Sequence, residues 1–317
     1  MTDSFCQQLQ SQVDISKSLL CIGLDPHVDE LPEPTAEAAI KFCRRIIDAT
    51  LPYAAAFKPN VAFFERFGAA GHDALVEVLA MIPKSVPVIL DAKRGDIGST
   101  SEAYAAACLG KSSRSGGGGL VGLDAHSVTV NPYMGSDSLE PFLRDPSKGA
   151  FLLCKTSNPG SNELQTLRCT AASPSDPSSA SEMMVYERVA QLAHGKWGLK
   201  DNVGLVVGAT DVEAIEAVRR QAPETWLLSP GVGAQGGNLA LACKAGLFQP
   251  SNSRSNSSSN SPASLPTGIL FPVSRGVSQA ADPGLAAKAL VDAINECRVA
   301  KAAELQGKRK EEEEEGG

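Results

Sequence analysis

Short apolar runs recur along this chain at residues 18–25, 55–60, 87–93, 127–132, 150–156, 203–209, 226–230 and 268–274. Most are continuous rather than alternating, as in Val86-Pro87-Val88-Ile89-Leu90. Continuous runs of this kind are expected of strands covered on both faces, as in a parallel sheet flanked by helices. Helix-like segments separate them at 37–50, 74–81, 101–109, 182–193, 211–221, 239–247 and 284–303, with a shorter turn at 138–143. One of these opens as Thr210-Asp211-Val212-Glu213, a capped start with acids in its first turn, where they suit the positive end of the helix dipole. Strand and helix alternating eight times predict an α/β fold, a (β/α)8 TIM barrel, as a single domain over residues 1–303.

Three stretches break the alternation. Residues 111–119 (Ser-rich, then four glycines), 170–181 and 249–266 are too polar to bury the apolar area that ordering requires. All three fall between predicted elements, where insertions are tolerated, and are expected to be flexible surface inserts without a catalytic role. The end of the chain, 304–317, carries Lys308-Arg309-Lys310 followed by five glutamates; it is expected to be a solvated, disordered tail.

Composition narrows the class. The 317 residues are 43% hydrophobic, enough for one barrel of about 250 residues with a sizeable core. No apolar stretch approaches the ~20 residues of a membrane span. A formal net charge of −7 disfavours nucleic acid as a partner, so an anionic ligand must find its cations in local motifs. The eight cysteines are scattered without a Cys-x-x-Cys, and His27, His72, His126 and His194 show no metal-ligand spacing. That pattern fits reduced thiols and no metal site. The start, Met1-Thr2-Asp3-Ser4-Phe5-Cys6, lacks leader character, and a cytoplasmic location is expected.

The candidate chemistry concentrates where the third apolar run ends, in Asp91-Ala92-Lys93-Arg94-Gly95-Asp96-Ile97-Gly98-Ser99-Thr100. In a parallel barrel, the C-terminal ends of strands are where chemistry is done. Strand alternation predicts that Asp91 and Lys93 point the same way. The second run likewise ends in a cation, in Phe57-Lys58-Pro59-Asn60. Burying ions costs several kcal/mol each unless they are paired, so lysines and aspartates gathered at one mouth imply an alternating network rather than isolated charges. Such a network can set a proton-donating lysine beside a carboxylate held in its charged form. Gly231-Val232-Gly233-Ala234-Gln235-Gly236-Gly237 follows the seventh run and Ser274-Arg275-Gly276 the eighth. Loops in these two places commonly grip phosphate, with glycines admitting backbone N–H groups and an arginine pairing with the dianion. Asp25 ends the first run and Ser157 follows the fifth; by themselves these read equally well as a loop cap and a turn serine.

With these motifs in this order, the sequence resembles the orotidine 5'-phosphate decarboxylases, in the branch whose signature reads Asp-Ala-Lys-Arg-Gly-Asp-Ile-Gly. The resemblance runs from about Leu19 to Val299. It implies decarboxylation of orotidine 5'-phosphate to UMP, the last step of pyrimidine nucleotide synthesis, without a cofactor. It implies Lys58, Asp91, Lys93 and Asp96 as catalytic residues, with Lys93 stabilising and then protonating a vinyl carbanion while Asp91 faces the departing carboxylate. Lys58 and Asp96 would hold Asp91 and Lys93 in position. Asp25 and Lys58 would contact ribose, Ser157 the pyrimidine, and Gln235 and Arg275 the phosphate. The positions matching Asp96, Ile97 and Thr100 enter the partner subunit's site in this family, which implies a homodimer. Two other readings are a Mg²⁺-dependent sugar-phosphate lyase on the same barrel and a catalytically silent nucleotide-binding protein. Lys58-Pro59-Asn60, the Ile97/Thr100 pair and Thr156-Ser157-Asn158-Pro159-Gly160 favour the decarboxylase.

Overall fold

The structure, a computed structural model, describes residues 3–111, 122–173, 176–232, 236–250 and 265–315. Ten strands occur among them: β1 (Leu20–Leu24), β2 (Ala56–Pro59), β3 (Ile89–Arg94), β4 (Ser127–Val130), β5 (Gly149–Lys155), β6 (Arg168–Ser173), β7 (Asp176–Met184), β8 (Val203–Val207), β9 (Trp226–Leu228) and β10 (Ile269–Val273). All but β6 and β7 form one parallel sheet in the order β2-β1-β10-β9-β8-β5-β4-β3. Parallel bridges Phe57↔Val88 and Asn60↔Asp91 join its two ends, so the sheet closes on itself. The eight barrel strands are the eight apolar runs of the sequence. Their residues are almost wholly buried, as continuous rather than alternating patterns require.

Helices wrap the barrel: α1 (Phe5–Ser16), α2 (Ala36–Thr50), α3 (Ala62–Glu65), α4 (Gly68–Met81), α5 (Gly98–Leu109), α6 (Ser136–Leu143), α7 (Val185–His194), α8 (Val212–Gln221), α9 (Leu239–Gly246), α10 (Arg275–Ser278) and α11 (Pro283–Glu315). The sequence pattern passed over α1. It starts with a capping box between Ser4 and Gln7 and buries Phe5, Leu9 and Val13, one residue per turn. The Phe5 ring meets Phe151 edge-on at 5.9 Å. A side chain on Gly149 would collide with that ring, since its Cβ would lie 2.2 Å away. Backbone bonds from Phe5 to Pro146 and from Cys6 to Asp201 fasten α1 beside the entrances to β5 and β8, the end of the barrel opposite the strand termini that carry charge.

Two expectations need correction. Part of the supposed insert at 170–181 is regular: β6 and β7 pair antiparallel, with Arg168↔Met184, Cys169↔Met183 and Thr170↔Glu182 in register. Helix α7 consequently begins at Val185 rather than at residue 182. A hairpin pairs its inward-facing backbone groups across the two strands and leaves the outer ones to water, so it can form while burying little apolar surface. The expected tail is also partly regular, because α11 runs on to Glu315. Good helix formers and pairs such as Lys301–Glu304 and Glu304–Lys308 favour its continuation. Residues 112–119 and 251–264 of the other two expected inserts lie outside the described residues.

Candidate active site at the barrel mouth

The C-terminal ends of β2, β3 and β4 bring three charged side chains and one hydroxyl together. Lys58 Nζ donates to Asp91 Oδ2 at 2.9 Å, and Lys93 Nζ donates to Asp91 Oδ1 at 2.6 Å. Thr129 Oγ1 donates to the same Oδ1 at 3.0 Å. Lys58 and Asp91 are buried, whereas the Lys93 side chain is 51% exposed and so opens toward the mouth. Burial opposes charge on Asp91, but Lys58 and Lys93 outweigh it and hold the carboxyl well below the usual carboxylate range. Burial likewise opposes charge on Lys58, and Asp25 and Asp91 overcome it to hold the ammonium above the usual lysine range. Asp91 and Lys58 are therefore both ionised across neutral pH.

Simple alternation along β3 does not produce this arrangement. Leu90 pairs with Val128 and Arg94 with Val130, so Asp91, Ala92 and Lys93 together lie opposite Thr129 alone. Lys93 takes up the excess length in a left-handed conformation, φ 47°, at a cost on the order of 1–2 kcal/mol for a residue with a Cβ. This irregularity turns its ammonium back onto Asp91.

Asp25 lies beside this group at the end of β1. Its Oδ2 accepts from the Ser274 hydroxyl, and its buried Oδ1 has no hydrogen-bond partner among the described residues. A buried carboxylate oxygen without a donor suits a hydroxyl-bearing ligand. Gly23 makes this contact possible, since a Cβ there would fall 1.9 Å from Ser274 Oγ. Cys21 also lies in β1, where burial pushes its thiol up to about 12; it is inert as a nucleophile at neutral pH.

Ser157 is half-buried against Gly208, whose hypothetical Cβ would come within 2.9 Å of Ser157 Cβ. Its loop is held on both sides. Gln165 Oε1 accepts from Thr156 N at 2.8 Å while Gln165 Nε2 donates to Thr156 Oγ1 at 2.9 Å. The buried Lys155 ammonium donates to Ser161 Oγ at 2.9 Å and lies 3.7 Å from Asp211. Arg275 is exposed at the start of α10. Gln235 lies outside the described residues, but the ends of its loop are closed by Gly237 N donating to Gly231 O at 3.0 Å. Gly231 and Gly236 adopt φ 107° and 80° there, conformations open mainly to glycine.

Asp96 stands apart from the Lys58–Asp91–Lys93 group. Its Oδ1 accepts from Ile97 N at 2.8 Å, and no ion pair joins it to either lysine of its own chain among the described residues. Ile97 is 55% exposed and Thr100 is exposed on the first turn of α5. Arg94 points away from the mouth, pairing with Glu65 at 2.8 Å and lying over the Tyr104 ring. Asn131 caps the turn after β4 by accepting from Tyr133 N. His27 packs on Phe63, and His126 sits at the opposite end of the barrel. No group of three or more His, Cys, Asp or Glu able to hold a metal occurs among the described residues.

Thr129, Ser274, Lys155 and Gln165 escaped the sequence reading. A threonine inside an apolar run is an ordinary strand residue, and a serine beside an arginine at a strand end reads as part of a turn. No local signal separates such residues from background until the strands are placed side by side.

Fold and site define an eight-stranded parallel barrel with a Lys–Asp–Lys chain at its strand ends, where a glycine-rich segment follows β9 and an arginine follows β10. Within that class the chain belongs to the orotidine 5'-phosphate decarboxylase / HUMPS family, whose profile matches residues 18–242. It is 49% identical over 233 residues to orotidine 5'-phosphate decarboxylase of Roseiflexus sp. (strain RS-1), covering 73% of this chain and 78% of the relative. It is 41% identical to the enzyme of Roseiflexus castenholzii (strain DSM 13941 / HLO8) over 295 residues, 92% of this chain and 97% of the relative. Among solved structures, Leishmania donovani OMP decarboxylase superposes with a TM-score of 0.74 at 44% identity, covering 93% of this chain and 99% of that one. Leishmania donovani UMP synthase gives 0.77 at 46% identity, covering 94% of this chain but only 57% of the longer one.

Proposed function

We propose that this chain converts orotidine 5'-phosphate to UMP and carbon dioxide, the closing step of pyrimidine nucleotide synthesis, without a cofactor. The observation that carries the reading is the Lys58–Asp91–Lys93 chain of short contacts at the barrel mouth, centred on the buried Asp91 carboxylate. Breaking the bond between carbon 6 and the carboxylate leaves an electron pair on carbon 6. The Lys93 ammonium stabilises that charge and delivers its proton there, and solvent restores the ammonium. Asp91, held ionised, faces the departing carboxylate. Lys58 orients Asp91, and together with Asp25 it meets the ribose hydroxyls. Ser157 contacts the pyrimidine, while Gln235 and Arg275 take the phosphate, whose binding energy can drive closure of the surrounding loops.

Asp96, Ile97 and Thr100 act in trans in this reading. Each protomer presents them to the site of a second copy in a homodimer, which accounts for an exposed isoleucine on the rim and for an Asp96 unpaired with its own lysines. The barrel is taken as one domain that includes the inserts, acting in the cytoplasm. No disulfide joins its eight cysteines, all of which lie among the described residues, and no helix among those residues is long and apolar enough to cross a membrane. The purified chain should consume orotidylate, followed by loss of its absorbance, with a rate unchanged by excess chelator. An inactive, well-folded chain would remove the proposal, and a rate abolished by chelation would redirect it to the metal-dependent lyases of the same barrel.

A further inference from the structure

Thr129 occupies an unusual place in the sheet. It faces three residues of β3 single-handed, and its side chain replaces ladder bonds that the backbone of β4 cannot supply there. Thr129 Oγ1 accepts from Ala92 N at 3.0 Å and from Lys93 N at 2.9 Å. Its one proton goes to Asp91 Oδ1 at 3.0 Å. An ionised carboxylate can only accept, so the direction of this last bond is settled, and both lone pairs and the proton of the hydroxyl are committed. Thr129 is only 2% exposed, so its hydroxyl is shielded from bulk water.

We propose that Thr129 is a positioning residue for the decarboxylation, fixing the Asp91 carboxylate and the left-handed turn at Lys93 as one unit. The inference rests on the function proposed above. The carboxylate's rotation about its last side-chain bond determines which oxygen meets which lysine. Two ammonium groups alone would follow such a rotation, because both are flexible point charges. A hydroxyl on a stiff, β-branched side chain in the neighbouring strand does not follow it. The same oxygen holds the two N–H groups of the irregular segment, so Lys93 cannot relax toward an extended conformation without breaking a bond to Thr129.

The test compares wild type, Thr129→Val and Thr129→Ser for kcat and KM with orotidylate and for the affinity of UMP. Valine keeps shape and branching but has no hydroxyl; serine keeps the hydroxyl. Losing a bond to a charged group is expected to lower kcat of the valine variant by about 10- to 100-fold. UMP affinity should stay within about threefold of wild type, since the ribose and phosphate contacts are elsewhere, and serine should restore most of the rate. A valine variant with wild-type kcat would overturn the inference while leaving the proposed function standing. So would valine and serine variants impaired alike, or a loss of kcat matched by an equal loss of UMP affinity, since either marks a packing defect. An inactive wild type would remove the function and this inference together.

Discussion

At the scale of single residues, Asp91 shows how a buried charge becomes tolerable. Two ammonium groups and one hydroxyl occupy its two oxygens, so burial that would otherwise favour the neutral acid is overcome. The same contacts define a division of labour that substitutions can separate. Lys93→Ala is expected to lower turnover by at least about 10²- to 10⁴-fold, the usual share of a positioned general acid, with UMP binding nearly intact. Arg275→Ala is expected to do the reverse in binding, weakening UMP by about 10- to 100-fold through loss of a charge-assisted contact. Equilibrium titration with UMP and steady-state rates measure both; unchanged UMP affinity in the arginine variant would remove Arg275 from the phosphate site.

Among elements, the join between β3 and β4 carries a different dependence at each end. At the mouth it is the Thr129 contact with an irregular β3. At the opposite end His126 Nδ1 accepts from Val88 N at 3.1 Å, while Nε2 faces Lys84 O at 3.2 Å. An acceptor at Nδ1 and a donor at Nε2 require the neutral ring. Burial, with Lys148 assisting, accordingly lowers the His126 pKa, although the Lys84 carbonyl and Asp124 act the other way. The unfolded chain then takes up its proton first as pH falls. This contribution is fully present above the ordinary histidine value of about 6.5 and is lost as pH drops from there through the folded value. Urea unfolding at pH 8, 6.5 and 5 should show wild type losing on the order of 1 kcal/mol more than His126→Asn over that interval. Parallel pH profiles for the two proteins would exclude His126 as the source.

For the whole molecule, the decisive matter is where each site is completed. Asp96 caps the Ile97 N–H of its own chain and leaves Lys58 and Lys93 to Asp91, and Ile97 stands exposed beside it. If the sites are shared, a dimer of Lys93→Ala with Asp96→Ala protomers contains one site with both side chains intact and one lacking both. Mixing the two inactive variants under exchange conditions should therefore restore about one quarter of the wild-type rate per chain. A mixture that stays inactive although the protomers exchange would place Asp96 outside the neighbouring site.

What the amino-acid order determined by itself was everything whose cause is local. Continuous apolar runs marked all eight barrel strands because parallel strands are buried on both faces. Asp91, Lys93 and Lys58 could be assigned to strand ends because charge terminates such runs. Helix α1 was missed because its stripe is short and partly polar, and β6–β7 because a hairpin closes its own hydrogen bonds without an apolar signature. Tertiary structure alone decided which residues complete the site. Thr129, Ser274 and Lys155 look like ordinary strand or turn residues until neighbouring strands set them against Asp91, Asp25 and the Ser157 loop. The bend that turns Lys93 onto Asp91 likewise comes from the mismatch in length between β3 and β4, a property of two strands in register and of neither strand alone.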